Sequence, residues 1–307
     1  MVHSARTAPL LPNEPSILDR AQEQALTERY LLPNLAALAL FFQSLRASLD
    51  GPLRQAQPVK LGKPYPLGQC LEISLAAERC LQQLDHLEAE GLAAQGQAAL
   101  SAFLREGGSA RQVWGDLRGE YFQNAFVIGT LYVDLANDTV FSHKPKVEIL
   151  PFDEARFVPV EDFWHFAKVA RSYWKAEVFP NHILPSLAPY FPLIVAIPGG
   201  SVRLEAGSSY MFALTQNNGL RPSEAVLDSP PMSDEVFGLL RQCLAGSALD
   251  RASDPARGKA LALHYCRQYR NERASLSSEQ CTRIINCMRE ANQRLASLTV
   301  NFTPAQG

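Results

Sequence analysis

A carboxylate and an imidazole lie one helical turn apart in the segment that begins at Glu161. Asp162 and Glu161 precede His165 by three and four residues, so an α-helix would make the three side chains neighbours. Non-haem metal sites in helical proteins use this pairing, with a second cluster completing the coordination. The segment predicts a metal or acid–base site at Asp162 and His165. The alternative is a helix N-terminus whose dipole favours the two acidic side chains.

A second group of oxygen acceptors lies in a strand–turn–strand pattern between residues 130 and 141. Asp134, Asn137 and Asp138 fall within five residues, and such oxygen ligands suit a divalent cation or a polyol. The segment lacks the glycine of a calcium loop, so a polar hairpin tip is the alternative. Asp134, Asp138 and His165 are the predicted metal ligands, and Asp138 is also a predicted acid–base group.

One further carboxylate, Glu177, would be buried if the helix that begins near Glu161 continues to it. The helical spacing that begins at Phe163 aligns Glu177 with Phe166 and Tyr173 on the apolar face. A buried carboxylate must be paired or have its pKa raised by desolvation, which makes Glu177 a further catalytic candidate. If the helix ends well before Pro180, Glu177 is instead solvated.

The C-terminal third carries an excess of positive charge. Between residues 251 and 294, nine basic residues stand against four acidic ones, although the whole chain has a formal charge of −2. Arg267 and Arg270 interleave with Tyr265 and Tyr269, a pattern that suits an anionic cofactor or an acidic protein partner. The alternative is a solvated face whose arginine stems cover the core.

The elements that must position these residues are helices at both ends of the chain and strands in its middle. Helical periodicity covers 16–110 and 233–298, while β-branched and aromatic runs separated by turn residues cover 120–215. No βαβ alternation is present, which predicts an α+β fold with helical terminal segments around a small, mainly antiparallel β centre. Within that centre, 161–178 is a predicted helix and 210–215 a predicted strand.

The domain organisation follows from length and from helix-end signals. Residues 1–15, with three prolines, are predicted to be a flexible arm, and 16–300 a single globular domain. Three side chains have the types and positions of helix N-caps: Ser233, Asp254 and Ser277.

Composition limits the classes of function. A net charge of −2 and a pI near 6.3 give no reason to expect nucleic acid or an anionic membrane as a partner. The most apolar stretch, 35–42, is far shorter than the roughly twenty residues of a membrane span. The six cysteines form no C-x-x-C pair and no secretory signal is visible, so reduced thiols and a cytoplasmic location are expected.

Two functions follow from these patterns. The first is an enzyme that acts on a small polar metabolite, with or without a divalent or non-haem metal. Its site would lie between the central hairpin and the helix at 161–178. The second is a non-catalytic accessory protein that docks an acidic partner through its basic C-terminal helices.

Overall fold

The computed structural model describes residues 9–205, 208–272 and 277–298. Helices at both ends of the chain and antiparallel strands in its middle confirm the α+β prediction. The chain divides into two compact units that meet in sequence between Pro159 and Val160, and a single domain over 16–300 stays a prediction.

Besides a sheet, the described part of the first unit contains five α-helices. They are α1 (Arg20–Leu26), α2 (Leu35–Ala56), α3 (Cys70–Leu81), α4 (Gly91–Arg105) and the short α5 (Phe152–Ala155). Helices α2 and α4 touch through Gly96, where an added Cβ would lie 2.2 Å from the carbonyl oxygen of Ala37. This close approach lets Phe42 of α2 and Phe103 of α4 share one apolar core with the sheet.

The sheet of the first unit has five strands. A separate hairpin, β1 (Val59–Lys60) and β2 (Lys63–Pro64), precedes β3 (Ala110–Leu117), β4 (Tyr121–Ile128), β5 (Leu131–Asp134), β6 (Glu148–Pro151) and β7 (Phe157–Val158). The strand order is β6-β5-β4-β3-β7, with antiparallel pairing throughout.

The register of β4 and β5 gives this sheet two different faces. Phe126 lies opposite Val133, and both belong to the apolar core under the helices. Val127 lies opposite Tyr132 on the other face. Since side chains alternate along a strand, Gln123 and Asp134 share that second face with Tyr132.

Residues 9–15, part of the predicted flexible arm, run beside β3. The backbone amide of Trp114 donates to the carbonyl oxygen of Asn13 at 2.8 Å. The Asn13 side chain donates to Gln112 Oε1 at 2.6 Å. This part of the arm is therefore held by the sheet, and residues 1–8 lie outside the described residues.

The second unit combines a small sheet with six helices in its described part. The strands β8 (Glu177–Pro180), β9 (Leu193–Ala196) and β10 (Val202–Glu205) pair antiparallel in the order β10-β9-β8. The helices are α6 (Phe163–Trp174), α7 (Ser209–Asn217), α8 (Arg221–Leu227), α9 (Asp234–Cys243), α10 (Pro255–Asn271) and α11 (Ser278–Leu295). The core joins Ile194 of β9 to Phe237 of α9 and Leu295 of α11.

Two predictions about the elements of this unit are wrong. The run 210–215, predicted as a strand, lies in α7, because Ser208 caps that helix by accepting from the amide of Met211. The predicted helix over 161–178 ends at Trp174, because Lys175 takes the left-handed conformation with φ 55°. Glu177 is consequently the first residue of β8 and is exposed, so it does not lie on a buried helix face.

The three predicted N-caps of the C-terminal helices are confirmed. Ser233, Asp254 and Ser277 each accept from a backbone amide three residues on, at the start of α9, α10 and α11. Within the described ranges, no helix has the length and apolar character needed to cross a membrane.

Candidate functional site

The predicted site residues are divided between the two units. Asp134 and Asp138 belong to the first unit, whereas Asp162, His165 and Glu177 belong to the second.

Asp162 and His165 form the N-terminus of α6. The extended backbone of Asp162 is that of an N-cap, and its Oδ1 accepts from the amide of His165 at 2.7 Å. His165 Nδ1 in turn lies 3.3 Å from the amide of Glu161, which donates to it. These are the bonds expected from the helix-terminus alternative, since they satisfy backbone amides that have no partner inside the helix.

Asp138 lies in a short 3₁₀ turn and is 4% exposed. Its two oxygens accept from the guanidinium of Arg46 at 2.8 and 3.2 Å. Arg46 is fully buried and also donates to Asp50 at 2.9 Å and to the carbonyl oxygen of Leu135 at 2.7 Å. The carboxylate of Asp138 is therefore already neutralised by a cation of its own unit.

The ion pair of Arg46 extends through Asp50 toward the surface. Asp50 also accepts from Tyr65 Oη at 2.6 Å and from the ammonium of Lys146. Burial opposes ionisation, but the bonds from Lys146 and Tyr65 hold the pKa of Asp50 below its usual value. Burial and the bond to Asp50 raise the pKa of Tyr65 to about 12. The resulting group of two cations, two carboxylates and a phenol is called the Arg46 cluster: Arg46, Asp50, Tyr65, Asp138 and Lys146.

Asp134, at the end of β5, is fully buried and has a different environment. Its Oδ1 accepts from the amide of Ala136 at 2.7 Å. Its Oδ2 accepts from Gln123 Nε2 at 2.6 Å and from Tyr132 Oη at 3.0 Å. Burial raises the pKa of Asp134 to about 6 even though all three bonds favour the ionised form. Among the described residues, no cation forms an ion pair with this carboxylate.

Gln123 completes this second group and carries a buried acceptor without a partner. Its Nε2 donates to Asp134 and also to the carbonyl oxygen of Ala136 at 3.3 Å, which uses both amide hydrogens. Its Oε1 is buried and has no hydrogen-bond partner among the described residues. Gln123, Tyr132 and Asp134, all 1% exposed or less, are called the Asp134 cluster.

Side-chain alternation along the sequence places Asp134 on the same strand face as Tyr132, but it does not reveal Gln123 as the partner of Asp134. The available signal was Gln123 itself, a polar residue within the otherwise aromatic and aliphatic run of β4. The sequence also contains an indication that Arg46 is buried. Arg46 lies four residues after Phe42 and four before Asp50, which places its charge on the apolar face of α2.

The described residues contain no group that matches the predicted metal site. Within the parts of the chain that the structure describes, no three His, Cys, Asp or Glu side chains are grouped so that they could hold a metal ion. Asp134, Asp138 and His165, the predicted metal ligands, are therefore not part of such a group.

The two arginines predicted to bind an anionic cofactor both contact Glu224 of α8. Arg267 Nε lies 2.8 Å and Arg270 Nη2 2.7 Å from its carboxylate oxygens. Burial opposes ionisation, but these two bonds hold the pKa of Glu224 below its usual value. Both guanidinium groups are thus engaged within their own unit. Arg273, another member of the basic region, lies outside the described residues.

The two clusters of the first unit differ in what they can do chemically. In the Arg46 cluster every carboxylate is matched by a cation, whereas Asp134 is ionisable near neutral pH and next to an unused acceptor. Only in the second arrangement can a carboxylate change its protonation state without breaking an ion pair. Comparisons of the chain with protein-family models, with curated protein sequences and with solved structures gave no match.

Proposed function

We propose that the protein is an enzyme that acts on a small polar metabolite, with Asp134 as its acid–base group. The observation that carries this proposal is a fully buried carboxylate without an ion-pair partner among the described residues, held by Gln123 and Tyr132. An acid–base group works best when its pKa is close to the working pH. The value of about 6 for Asp134 meets this condition, and such shifts are concentrated at functional sites.

The other sequence candidates contribute less to this proposal. Asp138 is bound by Arg46, and the bonds of Asp162 and His165 cap a helix. No metal is part of the proposed chemistry. Arg267 and Arg270, the residues predicted to dock an acidic partner, both pair with Glu224 of their own unit. The proposed compartment is the cytoplasm, supported by six cysteines that are all free thiols.

The test compares wild type with Asp134→Asn. Each purified protein is incubated with a defined mixture of amines, amino acids, sugars, hydroxy acids and polyols, and every compound is followed by mass spectrometry. We expect wild type to consume at least one compound and Asp134→Asn to lose at least 100-fold of that rate, in the range found when a general acid or base is removed, roughly 10²- to 10⁴-fold. Activity should fall as pH drops through about 6, because a protonated Asp134 cannot accept a proton.

Asp162→Asn is the matched control. It makes the same chemical change at a carboxylate in the second unit, and Asn caps a helix about as well as Asp. Circular dichroism and thermal unfolding establish that both variants fold. If wild type consumes no compound, or if folded Asp134→Asn retains the wild-type rate, the proposal is wrong.

A further inference from the structure

We infer that a cleft at the ends of α3 and α4 in the first unit binds a free α-amino acid. The cleft has a volume of about 340 Å³, within the roughly 300–1,000 Å³ of small-molecule sites. The described residues that line it include no member of the Asp134 cluster, so this inference goes beyond the proposed function. The residues that carry the argument are called the Asp85 cleft: Leu81, Leu84, Asp85, Ser101, Leu104 and Arg105.

Hydrogen bonds between α4 and the short 3₁₀ turn that follows α3 fix the walls of the cleft. Nε2 of Gln97, on α4, donates to the carbonyl oxygens of Leu84 and Leu87, both at 2.8 Å. Ser101, one turn further along α4, donates from its Oγ to Asp85 Oδ1 at 3.1 Å. The turn is therefore held against α4, and the cleft is formed before a ligand binds.

Two charged side chains of opposite sign line the cleft without pairing with each other. Asp85 Oδ2 accepts no hydrogen bond from the described residues, since the bond from Ser101 goes to Oδ1. Arg105, in the last turn of α4, forms no ion pair or hydrogen bond through its guanidinium with any described residue. Because Arg105 follows Ser101 by four residues, the unused carboxylate oxygen and the unused guanidinium belong to positions about one helical turn apart.

A zwitterion matches this pair of charges. An ammonium group can donate up to three hydrogen bonds to acceptors such as Asp85, and a carboxylate can accept two parallel bonds from the guanidinium of Arg105. In an α-amino acid a single carbon atom carries both groups, so both contacts can form in one small ligand. A simple anion would leave Asp85 without a partner and be repelled by it, and a simple cation would do the same at Arg105.

Three leucines give the cleft an apolar part. Leu84 is buried in the core of the first unit, and Leu81 and Leu104 are partly buried against the same core. An aliphatic side chain that packs on them removes apolar surface from water, which favours binding. We therefore expect a preference for aliphatic amino acids such as valine. Aspartate should bind less tightly, because its second carboxylate would lie near Asp85.

The test uses three probes that share one branched carbon chain. L-valine has both charged groups, isovalerate lacks the ammonium group, and isobutylamine lacks the carboxylate. Binding of each probe to the full chain is measured by calorimetry at neutral pH. We expect valine to bind about fivefold more tightly than either analogue, since an ion pair between partly exposed groups contributes up to about 1 kcal/mol.

Variants assign each charge of the ligand to one side chain. Asp85→Asn keeps the acceptor for Ser101 but removes the charge, so its affinity for valine should fall to that for isovalerate. Arg105→Gln should lower the affinity for valine to that for isobutylamine. Arg79→Gln is the matched control, because Arg79 is an exposed arginine of α3 outside the lining, and its affinity for valine should not change. Thermal unfolding establishes that all three variants fold.

Each contrary result removes the amino acid as the ligand. Equal binding of valine and isovalerate would indicate a simple anion site, and equal binding of valine and isobutylamine a simple cation site. No binding of valine, or wild-type affinity for valine in folded Asp85→Asn or Arg105→Gln, would also overturn the inference. The measurement involves no turnover, so its outcome is independent of the catalytic role proposed for Asp134.

Discussion

Removing the buried guanidinium of Arg46 should strongly destabilise the first unit. In Arg46→Met both oxygens of Asp138 lose their donors, Asp50 loses one bond, and the carbonyl oxygen of Leu135 loses another. Methionine fills much of the volume, so the main effect is a buried carboxylate without its cation. Breaking a buried pair from one side costs about 3–5 kcal/mol. That is a large share of the roughly 5–15 kcal/mol by which a folded protein is stable.

The assay is urea unfolding followed by circular dichroism, with tryptophan fluorescence as a second probe. Arg79→Met is the control: Arg79 is an exposed arginine on α3 of the same unit, so its loss should change the free energy of unfolding by less than about 0.5 kcal/mol. Asp138→Leu in the Arg46→Met background removes the uncompensated charge and should restore part of the loss. A loss below about 1 kcal/mol in Arg46→Met, or strictly additive effects in the double variant, would refute the view that this ion pair is a coupled buried unit.

Three further predictions concern the second unit. His182 is fully buried with Nε2 2.9 Å from the carbonyl oxygen of Leu227, and burial holds its pKa below the usual 6.5. The unfolded chain therefore binds the proton more readily than the folded protein. The free energy of unfolding should be at its full value above about pH 6.5 and should decline below it. His182→Gln should reduce this decline, which is measured as the urea midpoint between pH 7.5 and pH 5. Gly258→Ala would place a Cβ 1.9 Å from the His182 carbonyl oxygen and should cost about 1–3 kcal/mol in the same unfolding assay. Gly238→Ala meets nothing within 4 Å in α9 and should instead stabilise by up to about 1 kcal/mol; a loss in both variants would contradict the packing argument. Asp162→Ala removes the N-cap of α6 and should lower the thermal midpoint through a loss of about 0.5–2 kcal/mol, while Asp162→Asn should not.

Helix ends were predicted best where the signal lies within a few residues. The caps at Ser233, Asp254 and Ser277 each involve a side chain and an amide only three positions apart, so no tertiary information is needed. The same reasoning offered the helix-terminus alternative at Asp162, and the structure contains the corresponding hydrogen bond.

Short segments without such a signal were predicted poorly. The run 210–215 is apolar and aromatic and has the composition of a strand as much as of a helix. The N-cap at Ser208 favours the helix, and the run lies in α7. The position of Glu177 was predicted by extending a helix whose periodicity is regular up to Trp174. The sequence pattern does not indicate that Lys175 adopts the left-handed conformation and ends this helix.

By itself, the sequence determined the α+β class, the caps of its C-terminal helices and the face of β5 on which Asp134 lies, because these follow from local spacing and side-chain alternation. Only the tertiary structure decided which carboxylates form an ion pair with a cationic side chain. Arg46 reaches Asp138 across 92 positions, and Gln123 reaches Asp134 from a neighbouring strand. Such pairings depend on how the elements pack, and spacing along one element carries no information about them. That packing neutralises Asp138 and leaves Asp134 buried with its charge unpaired among the described residues.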